Sequence, residues 1–186
     1  MSGSRNVAIL IFDDVEVLDF AGPFEVFGVT GRSSDPKPFN VFTVAEKPGV
    51  VRARNGLQIM PHYTFADCPK HDLLVVPGGW GTRPLLKSSA VLDWIKARST
   101  ETELTASVCT GALLLGKAGL LDGLDSTTHW GSYDLLKEVA PATSVRPRTR
   151  FIDNGKIVTS AGISAGIDMA LHLVARLLGR DAALET

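Results

Sequence analysis

Short apolar runs alternate with stretches of helical spacing along this chain, and the runs are continuous rather than alternating. Together these two features predict an α/β sandwich, a mostly parallel central sheet flanked by helices. A third observation is size: 186 residues with 45% hydrophobic and 21% charged side chains fit one ordinary globular domain spanning residues 1–186.

The first strand is Asn6–Phe12, an apolar run closed by Asp13-Asp14 and shaped for burial on both faces. Gly22-Pro23 suits the opening of a helix, which then covers Phe24–Val29. A loop, Gly31–Pro38, leads to a second strand at Phe39–Ala45. Further strands are expected at Asp72–Val76, Leu104–Val108 and Lys156–Ser160, with a brief one at Ser126–Thr128. Helices are expected at Val91–Ala97, Gly111–Leu115, Tyr133–Val139 and Ala165–Leu178. Asn154-Gly155, between Phe151-Ile152 and Ile157-Val158, reads as a tight hairpin turn.

Charge and cysteine content narrow the function. Nineteen basic and twenty acidic residues leave a net charge of -1, too even for a phosphate backbone, so no nucleic-acid partner is expected. No apolar run approaches the roughly 20 residues of a bilayer span, and Val7–Phe12 lacks the flanks of a signal peptide, so a cytoplasmic protein without membrane contact is expected. In that compartment Cys68 and Cys109 stay reduced. The histidines show no metal-ligand spacing with each other or with Cys68, so neither metal nor other cofactor is expected.

Cys109 ends an apolar strand and precedes the glycine-containing helix Thr110–Gly116. A sharp strand-to-helix turn of this kind is a nucleophile elbow, and a helix N-terminus depresses a thiol's pKa. A buried cysteine acting as a small hydrophobe fits the same letters. Pro77-Gly78-Gly79-Trp80-Gly81 follows a strand, and the amides of Gly79 and Thr110 could form an oxyanion hole; a simple turn is the plainer reading. Asp19 lies between apolar residues past the first strand, either capping a helix, the usual role, or aimed into a pocket. Asp13, Asp14 and Glu16 read as solvated loop charges. His129 could serve as a base or simply pack beside Trp130. Small residues in Ser160–Asp168 suit one wall of a pocket or close packing. All these elements fall at the carboxyl edge of the expected sheet, where open α/β sheets bind ligands.

Leu18-Asp19-Phe-Ala-Gly-Pro23, Pro77-Gly-Gly79, Val108-Cys-Thr-Gly-Ala112, Thr128-His-Trp130 and Thr159–Asp168 together resemble the DJ-1/PfpI superfamily, in order and over nearly the whole chain. Within it the chain looks most like the isocyanide hydratase branch and the amino-terminal domains of GlxA-like regulators of the AraC class. The resemblance implies a flavodoxin-like, class I glutamine amidotransferase-like domain, a homodimer, and Cys109 as nucleophile. It implies further that Asp19 is the acid hydrogen-bonded to the cysteine and that Thr110 orients substrate or water. Gly78, Phe20, Trp80, His129 and Trp130 then border a pocket for a small apolar molecule. Thr110 stands where the protease-like branch carries histidine, which argues against peptidase activity. Hydration of an isocyanide to a formamide is the leading expectation. The alternatives are a glyoxalase or deglycase acting on α-oxoaldehydes and a non-enzymatic ligand or redox sensor. A sensor would need a partner protein, because the sequence stops at Thr186 before any helix-turn-helix.

Overall fold

The computed structural model describes residues 4–186. Its central sheet is built from β1 (Arg5–Leu10), β2 (Phe39–Ala45), the peripheral β5 (Tyr63–Thr64), β6 (Leu73–Val76), β7 (Leu104–Val108), β10 (Phe151–Asp153) and β11 (Ile157–Ser160). Between β2 and β5 a small hairpin, β3 (Val51–Arg52) and β4 (Gln58–Ile59), stands apart, as does the parallel pair β8 (Asp125–Ser126) and β9 (Ser144–Val145). The seven strands run in the order β10-β11-β7-β6-β1-β2-β5, all parallel except β10. Taking only the five principal parallel strands, the order is second, first, third, fourth, fifth, the flavodoxin-like arrangement. Chain direction across the sheet reverses between β1 and β6, opening a crevice at their carboxyl ends.

Helices α1 (Val17–Val29), α2 (Thr82–Leu85), α3 (Ser89–Glu101), α4 (Gly111–Lys117), α5 (Tyr133–Val139), α6 (Ser164–Leu178) and α7 (Arg180–Glu185) complete the molecule. The core runs through the sheet: Val7, Ile9, Leu74, Val75, Val108 and Val158 are fully buried, as the unbroken apolar runs predicted. Leu113, Leu114, Leu115 and Leu121 fill one side of it. On α6 the buried positions Met169, Ala170, Leu173 and Val174 recur at helical spacing and turn one stripe inward. Among the described residues no helix is long and apolar enough to cross a membrane.

Several elements differ from expectation. Helix α1 begins seven residues before Phe24, and Pro23 lies inside it rather than in its first turn. The early start has a local cause: Val15 bridges to Gly79, and the Glu16 N–H donates to the Gly78 carbonyl at 2.9 Å, pinning the chain so that the helix opens at Val17. Proline removes one donor from the helix, and the carbonyl it would have served is that of Asp19. The strand expected at Ser126–Thr128 reaches only Ser126. The hairpin at Asn154 forms with Gly155 at φ 86°, the left-handed turn conformation that glycine adopts without a Cβ penalty. The strands β3, β4 and β5 and the helices α2 and α7, each two to six residues long, are additional to those expected.

Candidate active site

Three segments converge at the crevice. Asp19 comes from the first turn of α1, the glycine loop from the end of β6, and Cys109 from the turn between β7 and α4. Cys109 has φ 57°, a left-handed backbone that a residue with a Cβ rarely takes, and that strain turns the side chain out of the sheet. Its amide is held by the carbonyls of Ser160 and Ala161 at 3.1 and 3.2 Å. Thr128 Oγ1 donates to its carbonyl at 2.7 Å. Room for the elbow depends on missing side chains: a Cβ on Gly78 would stand 2.5 Å from Thr110 N, and one on Gly111 would stand 2.0 Å from the Val76 carbonyl.

Asp19 is fully buried and caps nothing, contrary to the usual role of an aspartate near a helix start. Its carboxylate accepts from Gly78 N–H at 3.2 Å and from Ile163 N–H at 3.0 Å, while the Cys109 side chain adds a further contact. Burial raises its pKa to about 6, because the two amides and the thiol only partly replace lost water. The thiol departs from expectation too. Desolvation first, and then the negative charge of Asp19, push Cys109 above the ordinary thiol value; the neighbouring Thr110 N–H opposes this without overcoming it. Helix α4 is only seven residues long, and its N-terminal field is outweighed. Both groups rise chiefly through burial, and at Cys109 the negative charge of Asp19 adds to the rise. The pair therefore retains one proton through neutral pH.

The glycine loop is already engaged. Gly79 N–H donates to Thr110 Oγ1 at 2.9 Å, and Thr110 Oγ1 donates back to the Gly79 carbonyl at 3.1 Å. Neither Gly78 nor Gly79 thus offers a free amide, whereas Thr110 N–H faces the sulfur. His129 shares the pocket with Cys109. Its Nδ1 accepts from Gly131 N–H at 3.2 Å, leaving the proton of the neutral ring on Nε2. Burial, and then the charge of Arg83, lower its pKa. The ring meets Gly162 with its Cδ2 edge, and its hydrogen bond goes to Gly131 rather than to the thiol.

A pocket of about 140 Å³ over the thiol is lined by Glu16, Gly79, Trp80, Arg83, Cys109, Thr110, His129 and Ile163. That is well under the roughly 300 Å³ of a drug-sized site, so it takes a small ligand. Trp80 is 59% exposed at its rim. Phe20 belongs to the hydrophobic core and does not line the pocket, and Trp130 lines the adjoining cleft of about 260 Å³. A larger cleft of about 360 Å³ beside Phe12, Val50 and Leu85 is lined by no cysteine, serine or threonine. Among the described residues no cluster could hold a metal ion.

Sequence reasoning misplaced Glu16 and missed Arg83, while Ile163 falls in the Ser160–Asp168 wall it expected. Glu16 is half-buried in its wall rather than solvated, with Arg54 Nε 4.0 Å from its carboxylate. Arg83 follows the glycine loop, and its position two residues after Gly81 was the available signal. Ile163, at φ 59° and ψ −112°, is a β-branched residue whose strain no sequence pattern announces.

The DJ-1/PfpI family's sequence profile matches residues 5–176 of this chain. The chain belongs to the DJ-1/PfpI family. An isonitrile hydratase from Pseudomonas putida is 39% identical over 178 residues, covering 96% of this chain and 74% of that protein. The transcriptional regulator GbdR of Pseudomonas aeruginosa is 29% identical over 95% of this chain, which spans about half the regulator's length (48%). Among solved structures, a ThiJ/PfpI family protein from Pseudomonas syringae superimposes with a TM-score of 0.87 at 32% identity, over 98% of this chain and 72% of that one. DJ-1beta of Drosophila melanogaster shares the fold with a TM-score of 0.85 at 22% identity, covering 98% of this chain and 95% of its own.

Proposed function

We propose that this DJ-1/PfpI protein hydrates a small isocyanide to an N-substituted formamide, with Cys109 as nucleophile and Asp19 as proton carrier. The observation that carries the reading is the buried Asp19 carboxyl set against the strained Cys109 thiol with one proton between them. The thiol passes its proton to Asp19, and the thiolate sulfur bonds to the terminal carbon of R–N≡C. Asp19 then delivers that proton to the same carbon, giving a thioimidate, R–N=CH–S–Cys109. Water adds to the C=N bond, its oxygen to carbon and a proton to nitrogen. The C–S bond breaks as the remaining hydroxyl proton returns to the Asp19–Cys109 pair, leaving R–NH–CHO.

Within this scheme Thr110 N–H steadies the thiolate, and the Thr110 hydroxyl holds the glycine loop closed over the elbow. The 39% identity to an isonitrile hydratase supports the same reading. An oxoaldehyde reaction needs a base for a carbon-bound proton, and the only ring acceptor of His129 is occupied by Gly131. DJ-1/PfpI proteins are commonly dimers acting on small molecules, and we take this domain to work as a cytoplasmic homodimer without a cofactor.

The test is formamide production from one aromatic and one aliphatic isocyanide, comparing the unaltered, reduced protein with Cys109→Ala and Asp19→Ala. Turnover lost in both variants is the expected result. Absence of turnover in the unaltered protein overturns the proposal, and ligand binding without turnover favours a sensor.

A further inference from the structure

The pocket over Cys109 contains a cation that the proposed chemistry does not use. Arg83 is held rigidly: Nη1 donates to the Gly79 carbonyl and to Thr82 Oγ1, both at 3.1 Å, and Nη2 donates to Ser132 Oγ at 3.2 Å. Its guanidinium lies 4.8 Å from the Trp80 ring centroid, a cation–π contact that fixes its plane. All these partners are neutral. Among the described residues no carboxylate forms an ion pair with Arg83, although most arginines here have one. Guanidinium has five N–H donors, and three are used, so Nε–H and one Nη2–H remain.

Its charge reaches across the pocket: after burial it is the second influence lowering the pKa of His129, and burial lowers its own pKa against the opposing influence of Cys109. Glu16, the carboxyl side chain in the pocket wall, has Arg54 Nε 4.0 Å away. The cleft of about 260 Å³ that shares His129 and Ile163 with this pocket holds a second cation, the exposed Arg148, which has no ion pair among the described residues, while Arg150 beside it is bonded to Asp168. A rigid guanidinium with free donors, partly desolvated and without a counter-ion, fits a planar anion.

We propose that Arg83 is a specificity-determining residue that anchors a carboxylate on the substrate, so that the preferred ligand is a small anionic molecule whose electrophilic carbon reaches Cys109. This rests on the reading of the pocket as a thiol-centred substrate site, and it names the substrate class as carboxylate-bearing.

The test uses two alkylating probes that differ only in charge. Cys109 displaces iodide from iodoacetate or from iodoacetamide, forming the same S–CH2 bond, and the adduct is quantified on the Cys109 peptide by mass spectrometry so that Cys68 does not interfere. The ratio of the two rates cancels any effect of Arg83 on the thiolate population, because both probes need the same thiolate. Changing Arg83 to Gln is expected to lower the iodoacetate to iodoacetamide ratio at least tenfold, and Arg83→Lys, which keeps a point charge, to lower it less. A ratio unchanged in Arg83→Gln overturns the anchor, as does an Arg83→Lys ratio equal to that of Gln. The readout is independent of isocyanide turnover, so an inactive hydratase with a charge-dependent ratio refutes the hydratase reading and leaves the anion site standing. With turnover present, a carboxylate-bearing isocyanide should show a lower KM than its methyl ester in the unaltered protein, and loss of that preference in Arg83→Gln is expected.

Discussion

Cys109 and Cys68 are both reduced thiols whose pKa is raised by burial, yet only one is built for chemistry. Cys68 sits half-buried between β5 and β6, its sulfur 3.5 Å from the Pro69 carbonyl and 3.7 Å from His71 Nδ1, with a pKa pushed up to about 11. His71 is kept neutral by its own burial, and at Cys68 the burial of the thiol outweighs the opposing charge of Arg98. Cys109 differs in three ways: a strained backbone, an amide facing the sulfur, and a buried acid that shares its proton. A depressed resting pKa is therefore not what separates Cys109 from Cys68. What marks Cys109 is a neighbour able to take the thiol's proton and hand it to the substrate.

The largest expected effect separates reactivity from turnover. Asp19→Asn removes the negative charge that helps raise the Cys109 pKa, so iodoacetamide labelling of Cys109 near pH 7.5 should quicken, by tenfold if the pKa falls one unit. The same variant has no carboxylic proton to deliver, and isocyanide turnover should fall at least about a hundredfold, in the range usual for losing a general acid. Labelling rates and formamide production measured on one preparation check both arms. A thiol that becomes slower in Asp19→Asn would break the comparison, because the acid would then be activating the cysteine at rest.

Next comes the elbow's packing. Gly78→Ala places a methyl 2.5 Å from Thr110 N and 2.8 Å from the Cys109 Cβ, against backbone that cannot swing aside. The expected loss is about 3 kcal/mol of stability, at the upper end for overpacking, read from denaturant midpoints. Turnover should be lost even where the variant stays folded, because the elbow must shift.

A similar magnitude attaches to pH. The folded-state pKa of Asp19, about 6, lies above the 3.8 of an unburied aspartate, so the native state binds this proton more tightly than the unfolded chain. Asp19 thus contributes stability that is fully present below about pH 4 and is lost as pH rises through about 6, roughly 3 kcal/mol in all. Denaturant titrations of the unaltered protein and Asp19→Asn at pH 4 and pH 8 should show their stability difference shifting by about 2 to 3 kcal/mol in favour of the variant at high pH. A constant difference would mean that Asp19 titrates normally and is not the proton store.

Much of this architecture was legible in the sequence, and the exceptions share a cause. Continuous apolar runs such as Phe39–Ala45 and Leu104–Val108 gave strands to the residue, because burial on both faces leaves no competing pattern. Cys109 was legible as an elbow because strand, polar break and glycine-bearing helix follow each other locally. Asp19 was ambiguous, although Asp19, Gly22 and Val26 lie on one buried helical face, a periodicity hidden by taking Pro23 as the helix start. The thiol's raised pKa, the occupied Gly79 amide and the strained Ile163 arise from contacts between segments 31 to 144 residues apart. Local spacing does not encode such contacts. Arg83 belongs to the same class, since its significance lies in the absence of a counter-ion in three dimensions.

The smallest effect belongs to Cys68. Replacing it with alanine deletes a half-buried sulfur that packs at the edge of the core, so a loss of about 1 kcal/mol is expected, in line with a small truncation at a site that can partly relax. Nothing else should move. Cys109 labelling and isocyanide turnover in Cys68→Ala should match the unaltered protein within about twofold, since a stability loss of that size leaves nearly all of the chain folded at 25 °C. Should Cys109 labelling slow markedly while the variant remains folded, the two thiols would be coupled. The assignment of Cys68 to packing and Cys109 to chemistry would then fail at its simpler end.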